Sequence, residues 1–198
     1  MLRPVGCLAI ATAMFLAAAT APDVLDWPSG GVSRLDSPDK RHTIYGEPFQ
    51  TGVRAEPELW LRHAGSPERK RLLELSSTAK VFWSPDSRHF VIVDHQNSSA
   101  MSSSVYDADG HVVLRIRPEQ SDAELRAIAT GHYYVEAQQF LDANTLRVAA
   151  FGHTDQPPVR CFRAIYSVTL GGRIDRISKR ISPPTATTCD ESSESAAQ

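Results

Sequence analysis

Seven histidines, His42, His63, His89, His95, His111, His132 and His153, are the side chains here best suited to metal or acid–base chemistry. A zinc or hydrolytic metal centre usually draws imidazoles from close pairs such as His-x-His or His-Glu-x-x-His. Neither pattern occurs in this sequence. His42 and His89 hold nearby places after two Ser-Pro-Asp triplets, which ties them to a repeated turn more than to a site. His89 and His95 would share one face of a strand, but Asp94-His95 reads as already in a loop. A serine nucleophile needs a base and an orienting acid. No Gly-x-Ser-x-Gly elbow is present, and the densest serine segment, Ser98 to Ser104, reads as a flexible loop between strands. Asp107 and Asp109 flank a tight turn and should be solvated instead of paired for acid–base work. No catalytic residue, metal ligand or cofactor-binding residue is therefore assigned, and no cofactor is expected.

Charge is equally restrained. The chain carries 21 Lys and Arg against 23 Asp and Glu, a net charge of −2, which points to neither nucleic acid nor an anionic membrane as partner. Two basic rows stand out, Arg69-Lys70-Arg71 and Arg173, Arg176, Lys179, Arg180. The first adjoins Glu68 and Glu74, so a solvated edge is the expectation. Asn97-Ser98-Ser99 matches a glycosylation sequon. Tyr133-Tyr134 reads as core or rim beside a strand, with a partner anchor as the alternative.

The elements that must position these groups repeat along the chain. One unit opens Leu35-Asp36-Ser37-Pro38-Asp39-Lys40-Arg41-His42, and a second opens Phe82-Trp83-Ser84-Pro85-Asp86-Ser87-Arg88-His89. The two Ser-Pro-Asp turns lie 84 − 37 = 47 residues apart. Proline presets φ, and the following Asp caps the turn with its side chain. An alternating strand follows, such as Phe90 and Ile92 on one face, then a strand anchored by an aromatic (Trp60, Tyr106, Tyr166) and ended by a Gly turn (Gly65, Gly110, Gly171). A weaker third copy runs from Phe140 to Ile177 without Ser-Pro-Asp. Ser121-Asp122-Ala123-Glu124 reads as a capping box opening a short helix, with Leu125 and Ile128 as its apolar face and Gly131 as its stop.

At Trp83-Ser84-Pro85-Asp86 and Asp107-Ala108-Asp109-Gly110 the chain resembles the PD40/TolB-type, WD40-like β-propeller repeat, with Ser87 standing where that family usually has glycine. The resemblance covers about residues 35–181. It implies an all-β fold of about three propeller-like antiparallel repeats, roughly nine to eleven strands, plus one short helix. Closed propellers typically need four to eight blades. Three units leave either a degenerate fourth blade or an open stack, and the open stack is the expectation. Ser37, Pro38, Asp39, Trp83, Ser84, Pro85, Asp86, Asp109 and Gly110 would then be structural turn residues.

Residues 1–19 read as a secretory signal: Arg3, an apolar run from Val5 to Ala21, and small-x-small sites at Ala17-Ala18-Ala19 and Ala19-Thr20-Ala21. Cutting after Ala19 is favoured and would discard Cys7. An N-terminal arm (20–34), a β domain (35–181) and an acidic, partly disordered tail (182–198) follow. Export leaves Cys161 and Cys189, an even count that reads as a disulfide, with two free thiols as the rival. The expected function is that of an exported, periplasmic or secreted, non-catalytic module binding another exported or envelope protein. Its contact surface is expected at Gly46 to Pro57 and Gln96 to Ser104. A periplasmic hydrolase with a site assembled across repeats and a structural envelope protein are the alternatives.

Overall fold

The computed structural model describes residues 23–28, 33–51, 54–128, 132–154 and 160–181, with side chains at all of these except 48–51, 54–56 and 128. The signal segment, the tail and Cys189 lie outside the described residues. The chain is mostly β. A three-residue strand, β1 (Leu25–Trp27), comes from the segment read as an arm. Three four-stranded antiparallel meanders follow. The first is β2 (Arg34–Asp36), β3 (His42–Thr51), β4 (Arg54–His63) and β5 (Arg69–Glu74). The second is β6 (Thr78–Trp83), β7 (His89–Asn97), β8 (Ala100–Asp107) and β9 (Val112–Ile116). A 3₁₀ turn (Pro118–Ser121) and the helix α1 (Ala123–Ile128) lead to the third: β10 (His132–Asp142), β11 (Thr145–His153), β12 (Cys161–Thr169) and β13 (Ile174–Ile181).

Among the described residues, thirteen strands stand where the sequence predicts roughly nine to eleven. The surplus comes from β1 and from the first strand of each meander, of which β2, with three residues, is too short to show an alternating pattern. The first meander is a separate sheet, whereas β1 and the other two meanders form one nine-stranded sheet. The joint is at β8. Its later half pairs with β9, while Ala100 and Met101 pair in parallel with Tyr133 and Tyr134 of β10. Neither sheet closes on itself.

Strand directions put the first and third hairpins of every meander at one end and the middle hairpins at the other. The first-hairpin end is built by the Ser-Pro-Asp turns, which repeat bond for bond. Ser37 Oγ donates to Asp39 Oδ1 at 2.7 Å and accepts the His42 N–H at 3.0 Å, and Arg41 N–H donates to Asp39 Oδ1 at 3.1 Å. Ser84, Asp86, His89 and Arg88 make the same contacts at 2.7, 3.0 and 3.1 Å. A short hydroxyl and a short carboxylate thus satisfy main-chain donors that no ladder reaches. Both serines are fully buried. The third hairpins need a residue at positive φ, supplied by Gly65 (φ 76°), Gly110 (φ 76°) and Gly172 (φ 85°).

The core lies between the meanders. Strand alternation sends successive side chains to opposite faces, and the second meander buries both. Ala79, Val81, Trp83, Phe90, Ile92 and Tyr106 pack with Leu35, Ile44, Leu59 and Leu61 of the first meander. Phe82, Val91, Val93 and Val105 pack with Leu125 of the helix and with Leu146, Val148, Phe162 and Tyr166 of the third. Leu25 of β1 joins the first cluster, and the Trp27 ring lies so close over Gly46 that a Cβ there would sit 2.1 Å from it. β1 thereby covers the free edge of β6, as β–β pairing of Leu25 with Val81 requires.

The Ser-Pro-Asp turns hold Lys40 and Ser87 at φ of 61° and 63°, a left-handed conformation that costs an L-residue about 1–2 kcal/mol. Lys40→Gly is expected to raise the urea midpoint, by about 0.5–1 kcal/mol of stability. Ser87→Gly should gain less, because the Ser87 hydroxyl also accepts the Asp39 N–H at 3.0 Å across the two turns. A fall in stability for Lys40→Gly would contradict the strain.

Candidate functional site

The turn residues gather at the first-hairpin end, where the first two meanders meet. The Asp39–Ser87 bond links their first turns, and the Lys70 ammonium donates to the Asp109 carbonyl at 2.9 Å, linking their third hairpins. Between these contacts the imidazoles of His42 and His63, paired across β3 and β4, meet edge to face at 4.8 Å. Trp83 stacks obliquely behind them, 5.7 Å from His42 and 4.9 Å from Phe90. His63 Nε2 lies 4.0 Å from Asp109 Oδ1, and His111 Nδ1 lies 3.2 Å from Asp107 Oδ2. Burial holds the His42 imidazolium below its ordinary range, and His63 beside it adds to the effect. Burial pushes the Asp107 carboxyl up, but the main-chain and side-chain donors of His111 outweigh this and hold it low. His42 Nδ1 and its repeat counterpart His89 Nδ1 are buried without a hydrogen-bond partner among the described residues.

A second polar cluster joins the interunit segment to the third meander. The capping residue of α1 is Asp122, not Ser121: Asp122 Oδ1 accepts the N–H groups of Glu124 (3.1 Å) and Leu125 (3.2 Å). Ser121 instead donates to the Pro118 carbonyl at 2.8 Å, since the preceding 3₁₀ turn places its hydroxyl there. Asp122 is 7% exposed and takes Arg176 at 2.8 Å and Lys179 at 3.1 Å. Lys179 also reaches Glu124 at 2.5 Å. Burial would raise the Asp122 carboxyl, yet the Leu125 N–H, Lys179 and Arg176 together hold it below the usual carboxylate range. Beside it opens a depression of about 380 Å³, lined by Ser121, Asp122, Tyr166, Ile174, Asp175 and Arg176. Burial, with the Asp122 charge, pushes the Tyr166 hydroxyl up to about 12. It stays neutral at physiological pH.

Neither cluster offers a reaction centre of the serine type. The hydroxyls of Ser37, Ser84 and Ser103 are committed to turn carboxylates or main chain, Ser103 donating to the Val135 carbonyl at 2.7 Å and accepting the Ala137 N–H at 2.9 Å. Asp122 spends both oxygens on two cations and two main-chain donors. The basic rows are likewise engaged. Arg69 pairs with Glu47 at 2.7 Å over the Trp60 ring, and Arg71 reaches Glu58, 3% exposed, at 3.0 Å.

Several sequence expectations change. The serine run is mostly strand, with only Ser98 and Ser99 in the turn before β8. The described residues of Gly46 to Pro57 are the paired ends of β3 and β4 instead of a polar interval. Asp94-His95 lies inside β7, and Tyr133-Tyr134 inside β10, where Tyr133 donates to Glu119 at 2.7 Å. The chain matches no protein-family model and no curated protein at a significant level. The burial of Asp122 and of the Tyr166 hydroxyl, and of one oxygen of the half-buried Asp94, has no signal in the sequence. Lone acids or a tyrosine in a strand carry no spacing signal, and the partners of Asp122 lie 54 and 57 residues away.

Asp94 is half-buried, and its Oδ1 is shielded from solvent without a hydrogen-bond partner among the described residues. Burial raises it above the ordinary value of 3.8, opposed by Gln96 and His95. A raised folded-state carboxyl costs stability once pH climbs through it, and nothing below the unfolded value. Asp94→Asn should therefore raise the thermal midpoint at pH 7, with the advantage shrinking as pH falls toward about 4. An advantage that is constant from pH 4 to 7 would rule out the charge as its cause.

Proposed function

We propose that the chain is an exported, non-catalytic binding module: an open, propeller-like stack of three blades that recognises another exported or envelope protein. The observation that carries this reading is the second meander, whose two faces are buried against its neighbours. Such stacking makes a rigid frame on which hairpins are presented, and recognition residues concentrate on loops so held. The distal hairpins Gly46 to Pro57 and Gln96 to Ser104 belong to the middle-hairpin end of adjacent meanders. They form the contact surface in this reading. The Ser-Pro-Asp hydroxyls and carboxylates at the opposite end are taken up by turn closure, so no serine there is left for nucleophilic work.

Export is the other half of the proposal, and Cys161 bears on it. Cys161 opens β12, and the next residue, Phe162, pairs with Ile181 of β13. Cys189 follows only 189 − 181 = 8 residues later, so up to roughly 26 Å of extended chain is available for the return. A Cys161–Cys189 bridge would close a loop of 189 − 161 = 28 residues and contribute about 3–4 kcal/mol. Intact mass before and after reduction reads it: the exported protein should gain two hydrogens on reduction. Two alkylatable thiols in the unreduced protein would remove the bridge.

Affinity capture with the mature protein from periplasmic extract tests the binding role. A stoichiometric protein partner is expected, and Ser98→Glu at the β7–β8 tip should weaken its retention severalfold. Recovery of no stoichiometric partner would overturn the reading.

A further inference from the structure

We propose that the tips of the β4–β5 and β8–β9 hairpins together form a site for a divalent transition-metal ion, with His63, Asp107, Asp109 and His111 as ligands. One potential ligand atom from each of Asp107, Asp109 and His111 lies within 4.8 Å of the other two. The closest pair, Asp107 Oδ2 and His111 Nδ1, is separated by 3.2 Å. Ions with bonds of about 2.0–2.2 Å hold neighbouring tetrahedral ligands at roughly that separation. The fourth group comes from a different sheet. His63 ends β4 and brings Nε2 to 4.0 Å from Asp109 Oδ1, at the edge of the three-residue group.

Turn closure accounts for only part of this arrangement. Asp107 Oδ1 accepts the N–H groups of Asp109 (3.0 Å) and His111 (2.8 Å), as expected of a turn aspartate. That leaves Oδ2 directed at His111, and it also fixes the carboxylate as an orienting outer bond would. The equivalent hairpin of the third meander closes with Thr169, whose Oγ1 accepts the Arg173 N–H at 3.1 Å, and needs neither a carboxylate nor an imidazole. The side chains of Asp109, His111 and His63 therefore exceed what the hairpin requires. Behind His63, His42 and Trp83 form an aromatic wall that sets the ring's direction.

The donor set selects the ion. Two imidazoles and two carboxylates suit zinc, cobalt(II) or nickel(II), whereas calcium and magnesium prefer six or more oxygens. Two aspartate charges balance the ion, with the Lys70 ammonium close by on the Asp109 carbonyl. Because Asp109 and His111 are 72% and 68% exposed at the side chain, the ion would keep access to water and exchange readily. Its structural effect would be to tie the first meander to the second.

The test uses the full mature chain, free of any histidine tag and stripped with chelator, titrated with zinc and with cobalt(II). One ion per chain is expected, with visible cobalt absorption of a four-coordinate nitrogen–oxygen site and a higher thermal midpoint in zinc. His63→Gln and His111→Gln should each weaken zinc binding tenfold or more, while circular dichroism confirms that both variants keep the β fold. Absence of stoichiometric binding would overturn the proposal. So would full retention of binding in the His63→Gln/His111→Gln double variant, which would place the ion elsewhere, or an equal response to calcium.

Discussion

The structure depends on one meander having no free face. Phe90 and Tyr106 stack at 5.2 Å with an interplanar angle of 5°, and Trp83 sits 4.9 Å from Phe90, all directed at the first meander. From the same strands, Phe82, Val91, Val93 and Val105 face the third. Each such large apolar side chain contributes roughly 1.5–3 kcal/mol on burial, whereas the exposed ion pairs of the outer strands are worth about 0–1 kcal/mol each. The apolar layers decide the architecture, and the ionic contacts only finish its surface. Loss of either outer meander would expose one whole face of the second.

Stacking sheets this way leaves their ends to be closed separately, and the two ends are closed differently. At the first-hairpin end, serine and aspartate side chains turn the backbone and bridge meanders, as in the bond from Asp39 N–H to Ser87 Oγ. Short side chains leave little freedom there, and the left-handed Lys40 and Ser87 are held by the bonds around them. At the other end, the middle hairpin of the second meander is closed by Asn97 Oδ1 accepting the Ser99 N–H at 2.8 Å, with Ser76 donating to the Gln96 carbonyl beside it. The first-hairpin end therefore fastens neighbouring meanders to each other.

This division explains what the sequence disclosed. The fastening end is written in local chemistry: Ser-Pro-Asp at 37 and 84, and Gly at 65 and 110, each serving a turn within about five residues. Such signals survive in a single sequence because the interacting groups are neighbours. Strands that depend on distant partners left no comparable trace. Ser102 to Ser104 reads as loop by composition, yet Ser103 is 1% exposed because its hydroxyl satisfies Val135 and Ala137 of another meander. β2 has three residues, too few to show a pattern, so the first strand of its unit leaves no trace in the sequence. Asp122 escaped for the same reason, its two cations lying on a strand beyond the next three turns.

The outer faces show how an open stack of this kind stops. On the first meander, Trp60 points away from Leu59 and Leu61 and lies beneath the Arg69 guanidinium at 4.2 Å, with Glu58 bonded to both Arg71 and the indole N–H. On the third, Phe151 stacks on Tyr134 at 5.2 Å beneath Arg163 at 5.6 Å. A meander packed on that face by another would carry aliphatic rows there, like those of the second meander. Here aromatic rings beneath guanidinium groups substitute for the missing layer, because a guanidinium can cover a ring face while keeping its hydration. Terminal units of stacked architectures need such a polar outer face for solubility. The same Arg-on-aromatic device at both ends makes termination a property of the outer meanders themselves.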